Sequence, residues 1–460
     1  MRKSPEDPSW TAPRTGMDWR DDVVLLATAW LAELANGRTW AARIAATRDR
    51  FLLAKTEWGE GRMVPLYDPK DTAAWYVFQA NAYAADRLNW VPEEAVRMVP
   101  TFTRIGEELP KLLEIPGAEA RAARLMNADR SQPDGGLFEL LVALAYRRAG
   151  WDTRFVTERP GIAKTPDLFV SKGRRRWAVE CKRMDRSSYQ SREKARGEML
   201  ANAVHALALA NGRSIAMTVV IDAELADLPD DYLVRRAASY FEHPRNAVWA
   251  DEAGMGVIEE IDWSLARRVL AVDDVYFGSS RMIELLLGGY DHDFSHTMAG
   301  QWRPAPERPF WASALYQASV VSWRNVSIPA IRKKARHFRS VVAGATKQLP
   351  KDRPGVVHVG VESWSGGDVD GARHIFNKLE MLDFDPVDTR LRWVYGEYIA
   401  PEVTTRSDES WAIEETSASY RVGRHGTAEP LPNHMLLTPE HSIKHGVHWD
   451  PVSQRPLKRF

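Results

Sequence analysis

The sequence predicts an α/β protein in which a helical N-terminal domain precedes a mixed core of strands and helices. Apolar residues recur at helical spacing through residues 18–130. From residue 131 onward, short β-rich runs alternate with helical stretches, which is typical of a mixed α/β core. The composition is that of an ordinary globular protein, with 44% hydrophobic and 27% charged residues. The length suggests about three domains.

Composition also excludes several classes of protein. Cys181 is the single cysteine, so neither an intramolecular disulfide nor a multi-cysteine zinc site is possible. Residues 1–17 are rich in proline and lack the apolar core of a signal peptide, and we expect a loose tail there. No long apolar run follows, so we expect no membrane segment, and the single cysteine fits a protein of the reducing cytoplasm. Basic and acidic residues number 62 each, which excludes a globally basic nucleic-acid coat.

Four helical stretches are predicted within residues 18–130, and prolines separate them. In the first, Val23, Leu26 and Trp30 mark the apolar face, and Gly37 is the predicted end. The other three cover about residues 40–53, 72–88 and 102–113. Nothing in this region demands a chemical role, so we interpret it as a helical N-terminal domain.

A change of pattern at residues 131–136, Ser-Gln-Pro-Asp-Gly-Gly, marks the predicted start of the mixed core. The order that follows is helix, three strands, helix and strand, over residues 137–149, 153–157, 167–171, 176–181, 187–211 and 214–221. This order indicates one α/β core over 131–225 with at least one crossover.

The pattern is less regular beyond residue 225. We interpret 226–330 as a mixed connecting region and 331–460 as a C-terminal α/β region. Within the latter, a helix over 332–348 precedes an apolar strand over 356–361. This pair either extends the first sheet or forms a small second α/β unit, and the sequence leaves both possibilities open.

Polar residues suited to chemistry lie in the predicted core strands. Glu180 and Lys182 are two residues apart on one strand, so both project from the same face, about 6.6 Å apart. Cys181 then points to the opposite face, where it can pack against a helix. Asp167 opens the preceding strand directly after Pro166, whose ring restricts the backbone. Two carboxylates on adjacent strands, beside one ammonium, therefore form a compact polar cluster.

Such a cluster suits hydrolysis of a phosphodiester, whose negative charge calls for a metal ion and an activated water. Asp167 and Glu180 offer the hard oxygen ligands that Mg²⁺ or Mn²⁺ prefers, with the Cys181 carbonyl as a third ligand. Lys182 is placed to hold the attacking water and to stabilise the developing charge. Glu139 lies in a helix that is apolar nearly all round, where a carboxylate must be paired or linked to a metal. It either ligates the metal through water or pairs with Lys182.

Together, Glu139, Pro166-Asp167 and Glu180-Cys181-Lys182, on a helix and three strands, resemble the PD-(D/E)xK superfamily of restriction-endonuclease-like nucleases. The resemblance covers about residues 131–225, and all four motif positions are filled. It implies an αβββαβ core, dependence on Mg²⁺ or Mn²⁺, and cleavage of nucleic acid, usually DNA. It also suggests a prokaryotic defence or restriction role, with a homodimer or a partner protein. Some members use a further Gln or basic residue on the following helix, for which the candidates here are Gln190, Arg192 and Lys194.

An uneven distribution of charge supports a nucleic-acid substrate. Residues 171–196 include ten basic and three acidic residues, and such patches neutralise phosphates. A second basic helix, at 332–339, is either another phosphate-binding face or a solvated one. The arginines at 174–176 could likewise form only a solvated hairpin turn. The predicted contacts to nucleic acid are Arg174, Arg175, Arg176 and Arg183.

Other interpretations stay open from the sequence alone. Asp167, Glu180 and Lys182 could form only a surface salt bridge, and Glu139 could pair with Arg147 or Arg148. The chain could be a non-catalytic nucleic-acid-binding protein that keeps the nuclease fold. It could also be a nuclease for RNA or branched DNA, because no helix-turn-helix or zinc-finger motif identifies the substrate.

Histidines and tryptophans offer weaker candidates. Some histidines have spacings that can bind a metal, although no cysteine lies near them. Some tryptophans could stack on nucleic-acid bases. These residues are His292, His296, His434, His441, His445 and His448, and Trp302, Trp323 and Trp364.

Overall fold

Two six-stranded sheets and a layer of N-terminal helices make up the part of the chain that the structure, a computed structural model, describes. The described residues are 20–60, 62, 64–157, 165–184, 188–306, 308–363, 366–406 and 411–438. The predicted tail at 1–17 lies outside them. No helix among these residues has the length and apolar character needed to cross a membrane.

The strands and helices are numbered in chain order. The helices are α1 (Asp22–Leu34), α2 (Gly37–Gly59), α3 (Thr72–Ala85), α4 (Pro92–Ala95), α5 (Val99–Glu107), α6 (Leu109–Leu113), α7 (Ala118–Asn127), α8 (Pro133–Arg148), α9 (Ser188–Ala210), α10 (Tyr232–Glu242), α11 (Trp263–Leu270), α12 (Ser280–Leu287), α13 (Ile328–Thr346) and α14 (Gly367–Leu382). The strands are β1 (Asp152–Phe155), β2 (Leu168–Lys172), β3 (Arg175–Arg183), β4 (Ile215–Ile221), β5 (Val248–Asp251), β6 (Gly254–Glu260), β7 (Val275–Tyr276), β8 (Ser295–Ala305), β9 (Arg308–Asn325), β10 (Gly355–Glu362), β11 (Leu391–Val403) and β12 (Trp411–Arg421).

The N-terminal region is helical, and it shares one apolar core with α8 and the first sheet. Trp75 and Phe102 belong to the same buried cluster as Leu141 of α8 and Val179 of β3. One predicted boundary is wrong: Gly37 begins α2 instead of ending α1. The reason is a cap, because the Asn36 side chain accepts a hydrogen bond from the Arg38 amide at 3.2 Å.

The first sheet has the strand order β1-β2-β3-β10-β11-β12. Its strands are antiparallel except for the two central pairs, β3 with β10 and β10 with β11, which are parallel. Alternate residues of β3 face opposite layers: Val179 packs in the core with α8, whereas Ala178 packs with Phe338 and Val342 of α13. The sheet therefore lies between α8 on one face and α13 on the other.

The strand that pairs with β3 differs from the one that the sequence predicts. We expected 214–221 to complete the sheet over 131–225, but β4 pairs with β6 and β9 in the second sheet. The place beside β3 is taken by β10, with Glu180 in register with Val357. The helix and strand near 332–361, whose position the sequence left open, thus extend the first sheet. Both β4 and β10 are apolar runs that follow a helix, so their local patterns do not distinguish them.

The second sheet forms a unit inserted between β3 and α13. Its order is β5-β6-β4-β9-β7, and β8 pairs with β9. It contains α9, which the sequence predicts to belong to the core over 131–225, and its apolar core includes Leu200 and Val204 of α9 together with Met217 of β4. The predicted boundary at residue 225 is therefore wrong, since the insertion extends over 188–325.

A C-terminal segment, residues 424–438, crosses the face of the first sheet that carries α8. Trp151 Nε1 donates a hydrogen bond to the Pro430 carbonyl at 3.2 Å, and Arg104 Nη2 donates one to the Leu437 carbonyl at 2.7 Å. The Glu415 carboxylate accepts from the amides of residues 436–438. The segment lacks helix and strand, but side chains of the core satisfy part of its backbone.

Candidate active site

Strands β2 and β3 part at Asp167, one residue before β2 begins. The last pair of the ladder joins Leu168 to Val179, and beyond it Asp167 Oδ2 accepts a hydrogen bond from the Cys181 amide at 2.8 Å. In a strand, the N–H and C=O of one residue point to the same neighbour. We call the gap where the two strands separate, between Asp167 and residues 180–182, the fork. The Cys181 carbonyl therefore faces the fork, as the Asp167 carboxylate does.

Glu180 and Lys182 lie together on the face of β3 opposite Cys181, as the sequence predicts. Lys182 Nζ is 2.5 Å from Glu180 Oε1. The Glu180 side chain is fully buried, whereas 34% of the Lys182 side chain is exposed. The ammonium is thus the member of the pair that solvent and a substrate can reach.

Glu139 of α8 is buried and reaches the fork from the helical layer. Its ion-pair partner is not Lys182, Arg147 or Arg148, the three partners that the sequence suggests. Arg121 of α7 forms the ion pair with Glu139, and its Nη2 also lies 3.8 Å from Asp167 Oδ1. Sequence reasoning missed Arg121, because nothing in the pattern of α7 distinguishes it from other helix-surface arginines.

Negative charge is under-compensated at the fork. Burial, together with the neighbouring Asp167 carboxylate, raises the pKa of Glu180 to about 9 and also raises that of Glu139. The Oε2 atoms of Glu139 and Glu180 are buried, and neither accepts a hydrogen bond from the residues that the structure describes. Burial opposes the charge of Lys182, but the neighbouring Glu180 and Asp167 carboxyl groups together outweigh it and raise the lysine pKa, so Lys182 is a cation.

The Cys181 thiol has no part in this chemistry. Its side chain is buried on the α8 face, and burial raises the pKa of the thiol well above its usual range. A neutral, enclosed thiol is a poor nucleophile. Only the backbone carbonyl of Cys181 is a candidate for the site.

The predicted contacts to nucleic acid are divided among the β2–β3 turn, the end of β3 and helix α9. Arg174 and Arg176 are exposed at the β2–β3 turn, and Arg176, the nearer of the two in sequence, is about 20 Å along the strand from Lys182. Arg183 Nη2 forms an ion pair with Glu362 Oε2 at 3.2 Å. The helix candidates Gln190, Arg192 and Lys194 are on α9, which belongs to the inserted unit and not to the first sheet.

Arg175 has a structural role that the sequence did not indicate. Its Nη2 donates hydrogen bonds to the carbonyls of Ala428 and Glu429 at 3.0 and 2.9 Å, and its guanidinium lies 5.0 Å from the centre of the Trp151 ring. It therefore anchors the C-terminal segment instead of offering a free charge to phosphate.

We expect Arg175→Ala to lower protein stability by about 1 kcal/mol, because it removes these contacts at a partly solvated site. Arg174→Ala and Arg176→Ala should leave the melting temperature unchanged.

If Arg174 and Arg176 contact phosphate, each replacement should reduce the salt slope of DNA binding, which is the slope of log K against log salt concentration, by about 1. Thermal melting and DNA titrations at several salt concentrations measure both effects, and an unchanged slope would assign the two arginines to a solvated turn.

A large cleft lies between the two sheets, apart from the fork. It has a volume of about 620 Å³ and is lined by residues such as Glu193 and Lys194 of α9, Arg324 of β9 and Glu362 of β10. Eight carboxylate residues and four lysines or arginines line it. This excess of negative charge disfavours a nucleic acid in the cleft.

A buried group that the sequence missed joins the C-terminal segment to the sheet. His358 Nδ1 and His434 Nε2 both lie 2.8 Å from Glu397 Oε1. His434 Nδ1 donates to the Leu431 carbonyl at 2.9 Å, and the Tyr146 hydroxyl lies 3.1 Å from His358 Nε2. Among the described residues, His358, Glu397 and His434 are the one set of three His, Cys, Asp or Glu side chains that could hold a metal ion by distance. One potential ligand atom from each lies within 4.8 Å of the other two.

The hydrogen bonds of this group favour an ion pair over a metal site. Both nitrogens of His434 face acceptors, so both must donate, and the ring is an imidazolium. Burial opposes ionisation of Glu397, but His434 and His358 together outweigh it and lower the carboxyl pKa. Glu397 in turn raises the pKa of His434 against the effect of burial. Burial lowers the pKa of His358, which is the neutral third member.

The remaining candidates have ordinary partners. His292 Nδ1 lies 2.6 Å from Glu402, and His296 Nδ1 lies 2.7 Å from the Ser322 hydroxyl. On α13, Lys334 and Arg339 form ion pairs with acidic residues of α9 and α14, each at 2.8 Å. Trp302 stacks on Phe277, and Trp323 is buried. Trp364, His441, His445 and His448 lie outside the described residues.

Comparison of the chain with protein-family models, with curated proteins and with solved structures gave no match. The fork of β2 and β3, with its three carboxylates and one exposed ammonium, is therefore the feature from which a function must be argued.

Proposed function

We propose that the chain is a divalent-metal-dependent endonuclease of the PD-(D/E)xK type that hydrolyses phosphodiester bonds in DNA. The observation that carries the proposal is the meeting of Glu139, Asp167 and Glu180 at one fork beside Lys182. Two of these carboxylates have a buried oxygen that no described residue satisfies with a hydrogen bond. Buried carboxylates of this kind are costly unless a cation compensates them.

The donor set at the fork fits Mg²⁺ or Mn²⁺. Asp167, Glu180 and the Cys181 carbonyl would hold the ion, and Glu139 would contact it through water. All of these donors are hard oxygens, which is the set that these ions prefer. Glu139, Asp167 and Glu180 do not bring one ligand atom each within 4.8 Å of one another, so at most two of them would bind the ion directly and the third would act through water. When bound, the ion would polarise the phosphoryl oxygen and make the attacking water more acidic.

The protein's own groups supply orientation and charge. Lys182 is cationic, so it cannot take a proton from the attacking water in this state. It can donate hydrogen bonds to that water and to a phosphate oxygen as negative charge develops. Glu180 holds the ammonium in place through the 2.5 Å contact. In this mechanism the carboxylates would bind the metal ion, and the lysine would contact the water and the substrate.

The order of elements around the fork supports the same proposal. Helix α8, strands β1 to β3, helix α13 and strand β10 follow an αβββαβ order, with α8 and α13 on opposite faces of the sheet. The resemblance in the sequence implies this order. It requires only that the unit at 188–325 be an insertion between the third strand and the second helix.

The test is cleavage of labelled duplex DNA, single-stranded DNA and RNA by the purified protein. We expect cleavage of DNA with Mg²⁺ or Mn²⁺ and none with EDTA, and loss of cleavage in Asp167→Asn. Asp152→Asn is the matched control, since this exposed carboxylate lies on the same sheet away from the fork. Full activity in EDTA would contradict the mechanism. Cleavage of RNA alone would reassign the substrate, and binding without cleavage would favour a non-catalytic protein.

A further inference from the structure

Arg121 is the one residue outside the predicted motif whose charged group contacts two of its carboxylates, among the residues that the structure describes. Its Nη2 forms an ion pair with Glu139 and lies 3.8 Å from Asp167 Oδ1. The side chain is 16% exposed, compared with 8% for Glu139 and 12% for Asp167. The guanidinium therefore occupies a largely enclosed position between two of the proposed metal-site carboxylates.

Packing of the helix does not require this arginine. Helix α7 is held against α8 by apolar residues: Ala118, Ala122 and Leu125 are buried, and Leu125 closes on Gly136. Arg121 lies at the border of that apolar stripe and directs its charge to the fork. Its placement is thus explained by the carboxylates that it contacts.

The charges at the fork limit what can be bound there together. The carboxylates of Glu139, Asp167 and Glu180 face two cations, Lys182 and Arg121. A dication held by Asp167 would lie close to the guanidinium, and like charges at such distances in a buried site repel strongly. Either the metal is excluded or the contact between Arg121 and Asp167 opens.

We propose that Arg121 is a positioning residue, the built-in counter-cation of the metal-free site, which competes with the metal for Asp167. In the metal-free protein it holds the Glu139 and Asp167 carboxylates at the fork. When a divalent ion binds, Arg121 releases Asp167 and keeps its ion pair with Glu139, so that Glu139 stays oriented. This inference rests on the proposed function, because it assumes that the fork binds a divalent ion.

The experiment is a calorimetric titration of DNA-free protein with Mn²⁺, together with melting curves in EDTA and in Mn²⁺. For Arg121→Gln we expect Mn²⁺ affinity to rise about tenfold, the scale of coupling between ligands that compete for one protein state. We also expect a lower melting temperature in EDTA and a larger gain on adding Mn²⁺. A merely structural role for Arg121 would not raise metal affinity.

Arg124→Gln is the matched control, because Arg124 is on the same helix and forms an ion pair with Asp129 at 2.9 Å, away from the fork. Its Mn²⁺ affinity should equal that of the wild type. Unchanged or weaker affinity in Arg121→Gln overturns the inference. If that variant is unfolded in EDTA, refolding by Mn²⁺ supports the inference, and failure to refold overturns it. Asp167→Asn separates the two proposals: wild-type Mn²⁺ affinity in that variant would reject the metal site itself.

Discussion

Lys182→Ala is expected to slow DNA cleavage by about 10²–10³-fold, the usual loss when one charge-stabilising donor is removed from an active site. Lys182 is the more exposed member of its pair with Glu180, and in the proposed mechanism its charge would act on the water and the phosphate. DNA binding and Mn²⁺ uptake should therefore largely survive. Turnover of plasmid DNA, calorimetric Mn²⁺ titration and a melting curve measure the three properties separately.

Two neighbouring substitutions should give different patterns of loss. Asp167→Asn should abolish both cleavage and Mn²⁺ uptake, because it removes a ligand. Glu139→Gln should be milder, about 10–100-fold, as for a group that acts through water on a metal site. Lys172→Ala is the control for the lysine, since Lys172 is exposed on β2 and donates only to the Ala149 carbonyl among its described contacts. Wild-type cleavage by both Lys182→Ala and Asp167→Asn would reduce the cluster to a salt bridge.

Glu397→Gln is expected to destabilise the protein by about 3–5 kcal/mol, the cost of leaving one member of a buried ion pair uncompensated. Glu397 is fully buried and contacts the His434 imidazolium, neutral His358 and the Ser417 hydroxyl. Because His434 belongs to the C-terminal segment, the substitution should also loosen that segment from the sheet. Chemical denaturation measures the free energy of unfolding.

The stability that the Glu397–His434 pair provides should depend on pH. The raised pKa of His434 means that its contribution is complete below about pH 6.5, its ordinary value, and is lost as pH rises through the folded-state pKa. The lowered pKa of Glu397 means that its contribution is complete above about pH 4.5 and is lost as pH falls through the folded-state pKa. The difference in stability between wild type and Glu397→Gln should therefore be largest between about pH 4.5 and 6.5.

The control for this second experiment is His425→Gln. His425 lies in the same segment, is partly exposed, and its Nε2 is 3.0 Å from the Arg392 carbonyl without a carboxylate partner among the described contacts. Burial lowers the pKa of His425, so this histidine costs the wild type stability as pH falls below about 6.5, and the effect of His425→Gln should be opposite in sign to that of Glu397→Gln. EDTA should change the melting temperature of the wild type and of Glu397→Gln equally, since only the fork is expected to bind a metal. A larger drop in EDTA for the wild type than for Glu397→Gln would instead identify His358, Glu397 and His434 as a metal site, and a pH-independent difference in stability would contradict the ion pair.

Local pattern was sufficient to predict the elements and the local geometry of the motif. Helix α8 and strands β2 and β3 lie within a few residues of their predicted bounds, since apolar periodicity, prolines and glycines act over short distances. The period of a strand likewise placed Glu180 and Lys182 on one face and Cys181 on the other. These features depend only on neighbours in the chain, so one sequence is sufficient to predict them.

Contacts between distant segments were decided only by the tertiary structure. Strands β4 and β10 have the same apolar character, and β10 pairs with β3 although more than 170 residues separate them. Arg121 meets Glu139 from another helix, and His358 meets Glu397 and His434 across the sheet and the C-terminal segment. Strand pairing and burial of charge depend on which surfaces pack together, and that choice is made by the free energy of the whole core. The sequence alone thus determined the elements that carry the motif and the face on which each motif residue lies, while packing determined which residues surround the motif.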